Sequence, residues 1–127
     1  MKILISVILA TSLLVAPAIQ DNINAALKSG NASALQSYFN TTIDLTVNNT
    51  ENVYSAAQAG QIIKSFFEKH SPSAFKTNHQ GNSQDGSMYV IGSLTTNNGN
   101  FQVYYYLKTS NNKMLINKLR IVNENAE

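Results

Sequence analysis

Two histidines, His70 and His79, are the chain's only imidazoles, and imidazole is the usual general acid or base near neutrality. Such a group does catalysis when a neighbour holds it in place and shifts its pKa. Asp44 is the obvious carboxylate by position, but it alternates with Ile43 and Leu45 and so points away from the core. Asp85 belongs to a turn. His79 is left with Tyr54 or Tyr38 as a proton donor and with no orienting carboxylate, so no catalytic residue is assigned. A transition-metal site would have to recruit remote carboxylates, because the two histidines lie on different elements. Neither a metal nor a cofactor is expected. The absence of cysteine excludes disulfides, a thiolate metal site, a cysteine nucleophile and a lipidated cysteine.

The elements that must position these residues run helices first, strands after. Ile19, Ile23 and Ala26-Leu27 recur at helical spacing up to Gly30, and Asn31 can cap a second short helix over Ala32 to Phe39. Ile43, Leu45 and Val47 alternate with Asp44 and Thr46, a strand with one buried side. Ser55 and Gln58 form a capping-box pattern ahead of Ala59, Ile62, Ile63, Phe66 and Phe67, which predicts a long amphipathic helix to about Lys69. Four strands follow, Phe75 to Ser83, Ser87 to Thr96, Phe101 to Thr109 and Lys113 to Val122, separated by short polar turns of hairpin type. The expectation is an α+β domain over residues 19–127, with the long helix covering one face of a bent antiparallel meander.

Ahead of that domain, Lys2 precedes an apolar run from Ile3 to Val15, and Ala16-Pro17-Ala18 supplies the small residues a signal peptidase reads. Residues 1–18 are therefore expected to be an export signal, placing the mature protein in the periplasm or outside the cell from Ile19 onward. The run is about 13 residues long against roughly 20 for a membrane-crossing helix. A retained anchor is the alternative reading. The net charge of +2 comes from nine Lys and Arg, Lys2 among them, against seven Asp and Glu, with no run of one sign. Nothing in it would attract nucleic acid. Asn31, Asn40 and Asn48 open formal glycosylation sequons, a number expected by chance in so asparagine-rich a chain.

Gly30-Asn31-Ala32, Tyr38-Phe39, Tyr54-Ser55 with Gln58-Ala59, Phe66-Phe67, the stretch from His79 to Ser83, Tyr89 to Leu94 with Gly99, Val103-Tyr104, Leu107-Lys108 and Leu119 to Ile121 carry a resemblance. In order and spacing they resemble domain-of-unknown-function family 4783, small exported proteins found mainly in Bacteroidetes-type bacteria. The resemblance covers nearly all of the mature chain and implies a nuclear transport factor 2-like, or cystatin-like, cone. It implies no activity. Gly60 departs from an ordinary helix by about 1 kcal/mol.

Two faces of the sheet are candidates for function. Unbroken alternation from Phe75 puts Phe75, Thr77 and His79 inward, and alternation in the last strand does the same for Leu115, Asn117, Leu119 and Ile121. His79 and Asn117, with Phe75, Phe66 and Tyr54, would then line a cavity for a small apolar ligand. Alternatively, they are buried polar groups satisfied by one another, by backbone or by water. The opposite face gathers Tyr104 and Tyr106 with Ile116, Lys118 and Arg120. Aromatic and arginine residues are enriched at interface centres, so a homodimer contact or an envelope protein partner fits this face. A half-exposed face shielded by lysine stems, or a stacking platform for sugars, fits it as well. Three classes of function stay open: a non-catalytic envelope module, a structural assembly part, and a cavity enzyme (isomerase, dehydratase or hydrolase) built on His79.

Overall fold

The computed structural model describes residues 15–125; positions 1–14 of the expected signal segment lie outside them. Three helices and six strands follow in the order α1 (Val15–Ser29), α2 (Ala32–Gln36), β1 (Phe39–Val47), β2 (Thr50–Ser55), α3 (Ala56–Lys69), β3 (Pro72–Asn82), β4 (Met88–Thr96), β5 (Gly99–Ser110) and β6 (Lys113–Asn123). Among the described residues, no helix is long and apolar enough to cross a membrane.

The helix boundaries have local causes. Gly30 takes φ 67° and so turns the chain out of α1. The Asn31 side chain then accepts a 3.0 Å hydrogen bond from the Ala34 amide to start α2. At the head of α3 the Gln58 amide donates to Ser55 Oγ while the Ser55 amide donates to Gln58 Oε1, each at 3.1 Å, completing the capping box. The second helix is shorter than its pattern suggested. Phe39 leaves it to pair with Ile116, and the Ile116 amide donates to the Tyr38 carbonyl at 2.7 Å, so pairing with the last strand outweighs helix propagation.

One sheet holds all six strands in the order β2-β1-β6-β5-β4-β3. The four-strand meander is antiparallel as expected. The last strand, β6, inserts beside β1 and runs parallel to it. Thr50–Ser55 was not foreseen as a strand. It returns from β1 through a turn in which Asn48 takes φ 53°, and it is an edge strand with only Tyr54 half-buried.

All three helices lie on one face of the sheet, with α1 against β3 and α3 against β1 and β2. The core between them includes Ile23 and Leu27 from α1, Ile63 and Phe66 from α3, and Leu94, Phe101, Tyr105 and Leu119 from the sheet. Phe66 meets Phe101 edge-on with ring centres 4.9 Å apart. Gly92 gives the Phe75 ring room: a Cβ there would stand 2.6 Å from the Lys76 carbonyl oxygen and run into the ring.

Two bulges change which side chains reach that core. In the β3–β4 pair Thr77 lies opposite Gly92 but His79 lies opposite Ile91, so Asn78 is an extra residue. In the β5–β6 pair Tyr106 lies opposite Lys118 but Leu107 lies opposite Ile116, which makes Asn117 the extra one. An extra residue reverses the alternation on one side of it. His79 is therefore exposed on the outer face and not in the interior, and Ile116 is fully buried in the core and not on the outer face.

Candidate functional site

The five residues expected to line one cavity are not brought together. Phe66 is buried in the core, while Phe75 and Tyr54 are half-buried against it. Asn117 accepts a 3.0 Å hydrogen bond from Asn40 Nδ2 and donates to the Leu115 carbonyl at 3.2 Å, so its polar groups are satisfied by its neighbours. His79 stands outside, its ring centre 5.7 Å from that of Tyr89.

The interior between α1 and the sheet is bridged by polar side chains. The Tyr105 hydroxyl donates to Asn24 Oδ1 at 2.8 Å, and Asn24 Nδ2 donates to Thr77 Oγ1 at 3.3 Å. Burial, followed by the Asp21 carboxylate, pushes the Tyr105 hydroxyl well above its ordinary pKa. A groove of about 850 Å³ does exist, but it is open and lies on the helical side, along α2 and α3. Its walls mix polar side chains, Asn31, Ser33, Gln36, Lys64 and Glu68, with Ala32 and Phe67, and Gly60 is part of its lining. His70 is likewise occupied structurally. It caps α3, packs on Phe66 and Phe101 with ring centres 4.8 and 4.9 Å away, and its Nδ1 lies 2.9 Å from the Asn98 carbonyl oxygen. Among the described residues no group of three His, Cys, Asp or Glu is placed to hold a metal ion.

The outer face is more organised. The pairing registers line its side chains into rows across all six strands. One row reads Val53, Asp44, Lys118, Tyr106, Tyr89, Gly81. The next reads Glu51, Thr46, Arg120, Tyr104, Ile91, His79. Tyr104, Tyr106 and Arg120 stand on this face, as the alternation predicted. Tyr89 and Ile91 join them, because the tight turn at Asn97-Asn98 aligns Tyr89 with Tyr106 and Ile91 with Tyr104. That turn was legible in the sequence, and following its register would have found both residues.

The Tyr89 and Tyr104 rings stack with centres 6.1 Å apart and planes 25° from parallel. Gly81 makes space for Tyr89, since a Cβ there would be 2.5 Å from the ring. Partial burial, then the neighbouring Tyr106 and Tyr89, raise the pKa of the Tyr104 hydroxyl. Beside the tyrosines, Lys118 Nζ reaches Asp44 Oδ2 at 3.9 Å, the outer limit of an ion pair. The second carboxylate oxygen, Asp44 Oδ1, is shielded from water with no hydrogen-bond partner. An unpartnered carboxylate oxygen out of water is costly. Val53 stands nearby, 63% exposed.

Residues 20–122 match the family model described as Domain of unknown function (DUF4783). Among solved structures, a DUF4783 family protein from Bacteroides uniformis ATCC 8492 is 32% identical with a TM-score of 0.80, over 85% of this chain and 99% of that one. A second, from Bacteroides ovatus ATCC 8483, is 33% identical with a TM-score of 0.78, over 83% and 94% of the two chains. A de novo designed protein with a curved β-sheet shares the fold alone, at 11% identity and a TM-score of 0.70 over 85% of this chain and 99% of that one. No match is found among curated proteins. With its six-strand mixed sheet and helices on one face, the chain has a nuclear transport factor 2-like fold and belongs to the DUF4783 family.

Proposed function

We propose that this chain is an exported, non-catalytic cell-envelope protein that works by holding a protein partner on the outer face of its sheet. The observation that carries the reading is a tyrosine platform flanked by cations on one surface. Tyr89, Tyr104 and Tyr106 are half-exposed together, and the exposed Lys118 and Arg120 lie opposite Tyr106 and Tyr104 on the neighbouring strand. Half-exposed aromatic rings gain when a partner removes the rest of their surface from water. The interior-ligand reading has less support, because Phe66, Phe75 and the Tyr105–Asn24–Thr77 bridge pack the region between helices and sheet. An enzyme built on His79 has little support either. The ring faces solvent, and the carboxylate in its row, Glu51, stands at the opposite edge of the sheet.

Native mass spectrometry of protein drawn from its own host's envelope tests this directly. The expected result is a mass above that of a single chain, lost when Tyr104→Ser and Tyr106→Ser are introduced together while the fold is retained. A bare single chain, or a bound small molecule indifferent to both substitutions, would overturn it.

A further inference from the structure

We infer that the open groove between α2 and α3 binds a short neutral oligosaccharide. It lies on the helical side of the sheet, away from the tyrosine face and from the interior that α1 and the sheet enclose, so it is independent of the partner proposed above. Along α3 the groove runs from Gly60 to Glu68, about 12 Å at 1.5 Å per helical residue. That length suits a chain of sugars better than a single ring.

Gly60 shows what this surface is shaped around. Glycine inside a helix weakens it relative to alanine, and here the space it leaves is taken by one group, because an added Cβ would run into the Gln36 carboxamide. The carboxamide is thus laid half-buried against the backbone of α3, and no described residue hydrogen-bonds it. Its donor and its acceptor both remain for a ligand. Asn31 accepts from the Ala34 amide through Oδ1 and has its Nδ2 hydrogens left over. Gln61 brings a further carboxamide to the same groove.

The charges decide the class of ligand. Lys64 and Glu68 stand one turn apart on α3, in the order less suited to pairing within a helix, and no ion pair joins them among the described residues. One cation and one anion leave the groove without net charge, so it has no field to concentrate phosphate, nucleic acid or an acidic peptide. Apolar ligands and the side chains of a peptide need an enclosing pocket. Here the groove is open, and its apolar side chains are Ala32 and a Phe67 ring only 6% exposed. What fits is a ligand that hydrogen-bonds along its whole length and bears no charge. A sugar hydroxyl both donates and accepts, as a carboxamide does, and neighbouring hydroxyls can be shared between an ammonium and a carboxylate.

The test is a titration of the 15N-labelled full-length chain with maltotriose, cellotriose and chitotriose, alongside trigalacturonate and tetraalanine. The expected result is a saturable shift of the Gln36, Gly60, Gln61 and Lys64 amide signals with a neutral trisaccharide, unaffected by Tyr104→Ser with Tyr106→Ser. Gln36→Ala combined with Gly60→Ala removes the carboxamide and sets a methyl group in its place, and should raise the dissociation constant about tenfold or more. Gln36→Ala alone, which leaves α3 unaltered, should do the same.

No shift with any of the three neutral sugars would overturn the inference, as would an unchanged dissociation constant in both variants. Shifts gathered at Tyr89, Tyr104 and Tyr106 would move the sugar to the outer face. Groove shifts with trigalacturonate or tetraalanine but not with the neutral sugars would assign the groove to an anion or to peptide backbone instead. A sugar bound in the groove of a chain that holds no partner on its outer face would leave this inference standing and overturn the earlier one.

Discussion

The Tyr105 hydroxyl of β5 donates a 2.8 Å hydrogen bond to the Asn24 side chain of α1, so a fully buried ring in the sheet holds the first helix in place. Tyr105→Phe keeps the ring and removes the donor. Asn24 Oδ1 then loses its partner in a part-buried position, which should cost about 1 kcal/mol in urea unfolding. No loss of stability would mean that water replaces the hydroxyl.

The same residue predicts a pH dependence. The folded-state pKa of Tyr105 is raised above the ordinary value of 10.0, first by burial and then by Asp21. Below about pH 10 folded and unfolded chains both hold the proton, so the group adds no pH dependence. Above that, the unfolded chain releases its proton first, and stability falls as pH rises towards the folded-state value. Tyr105→Phe should flatten this alkaline loss. Equal slopes for the two proteins between pH 10 and 11 would refute the assignment.

Two buried glycines should respond to alanine in opposite ways. At Gly92 an added Cβ meets backbone, the Lys76 carbonyl oxygen, as well as the Phe75 ring, so Gly92→Ala should destabilise by roughly 1–3 kcal/mol. At Gly60 it meets only the far end of the Gln36 side chain. Gly60→Ala combined with Gln36→Ala should therefore stabilise by about 0.5–1 kcal/mol through helix propensity. Thermal melts of the two proteins decide the sign.

Asp44→Asn tests what the shielded carboxylate costs. It gives up a loose 3.9 Å ion pair and removes the charge from a shielded oxygen that has no partner among the described residues, so stability should hold or rise. Equilibrium unfolding in urea measures the effect. A clear loss would mean that the ion pair with Lys118 outweighs the cost of the shielded charge.

If export proceeds as proposed, the mature chain starts at Ile19, the first residue of α1 after the small-residue motif Ala16-Pro17-Ala18. The α1 side chains that hydrogen-bond the sheet, Gln20 and Asn24, lie after that point. Amino-terminal sequencing of the envelope form should read Ile19-Gln20-Asp21. A membrane-bound chain beginning with Met1 would contradict it.

The sequence made the meander, the capped amphipathic α3 and the two tyrosines legible, because each rests on a period or a turn that residue types encode directly. It concealed His79 and Ile116, and for the same physical reason. One extra residue in a strand reverses the alternation, and Asn78 and Asn117 suit a bulge no better than a regular strand position. Ile116 did leave a trace, since Leu115 and Ile116 cannot both share the face of Leu119 without a break in alternation. At Asn78 the neighbours Lys76 and Gln80 are polar on either parity, and the slip leaves no mark. Edge strand β2 was missed because only Tyr54 among its residues is half-buried, too little for a period to show.

The position of β6 has a consequence for how the molecule comes into being. The β1–β2 hairpin touches the rest of the sheet only through β6, the last of the six described strands in chain order. Until that strand is present the early hairpin has no place in the sheet, and Asp44 and its partner Lys118 are 74 positions apart. Such long-range closure slows folding, because its entropy must be lost before any contact compensates it. If the chain is exported amino end first, as proposed, this order acts as a timer, since β1 and β2 cannot lock into the sheet before β6 has followed them across.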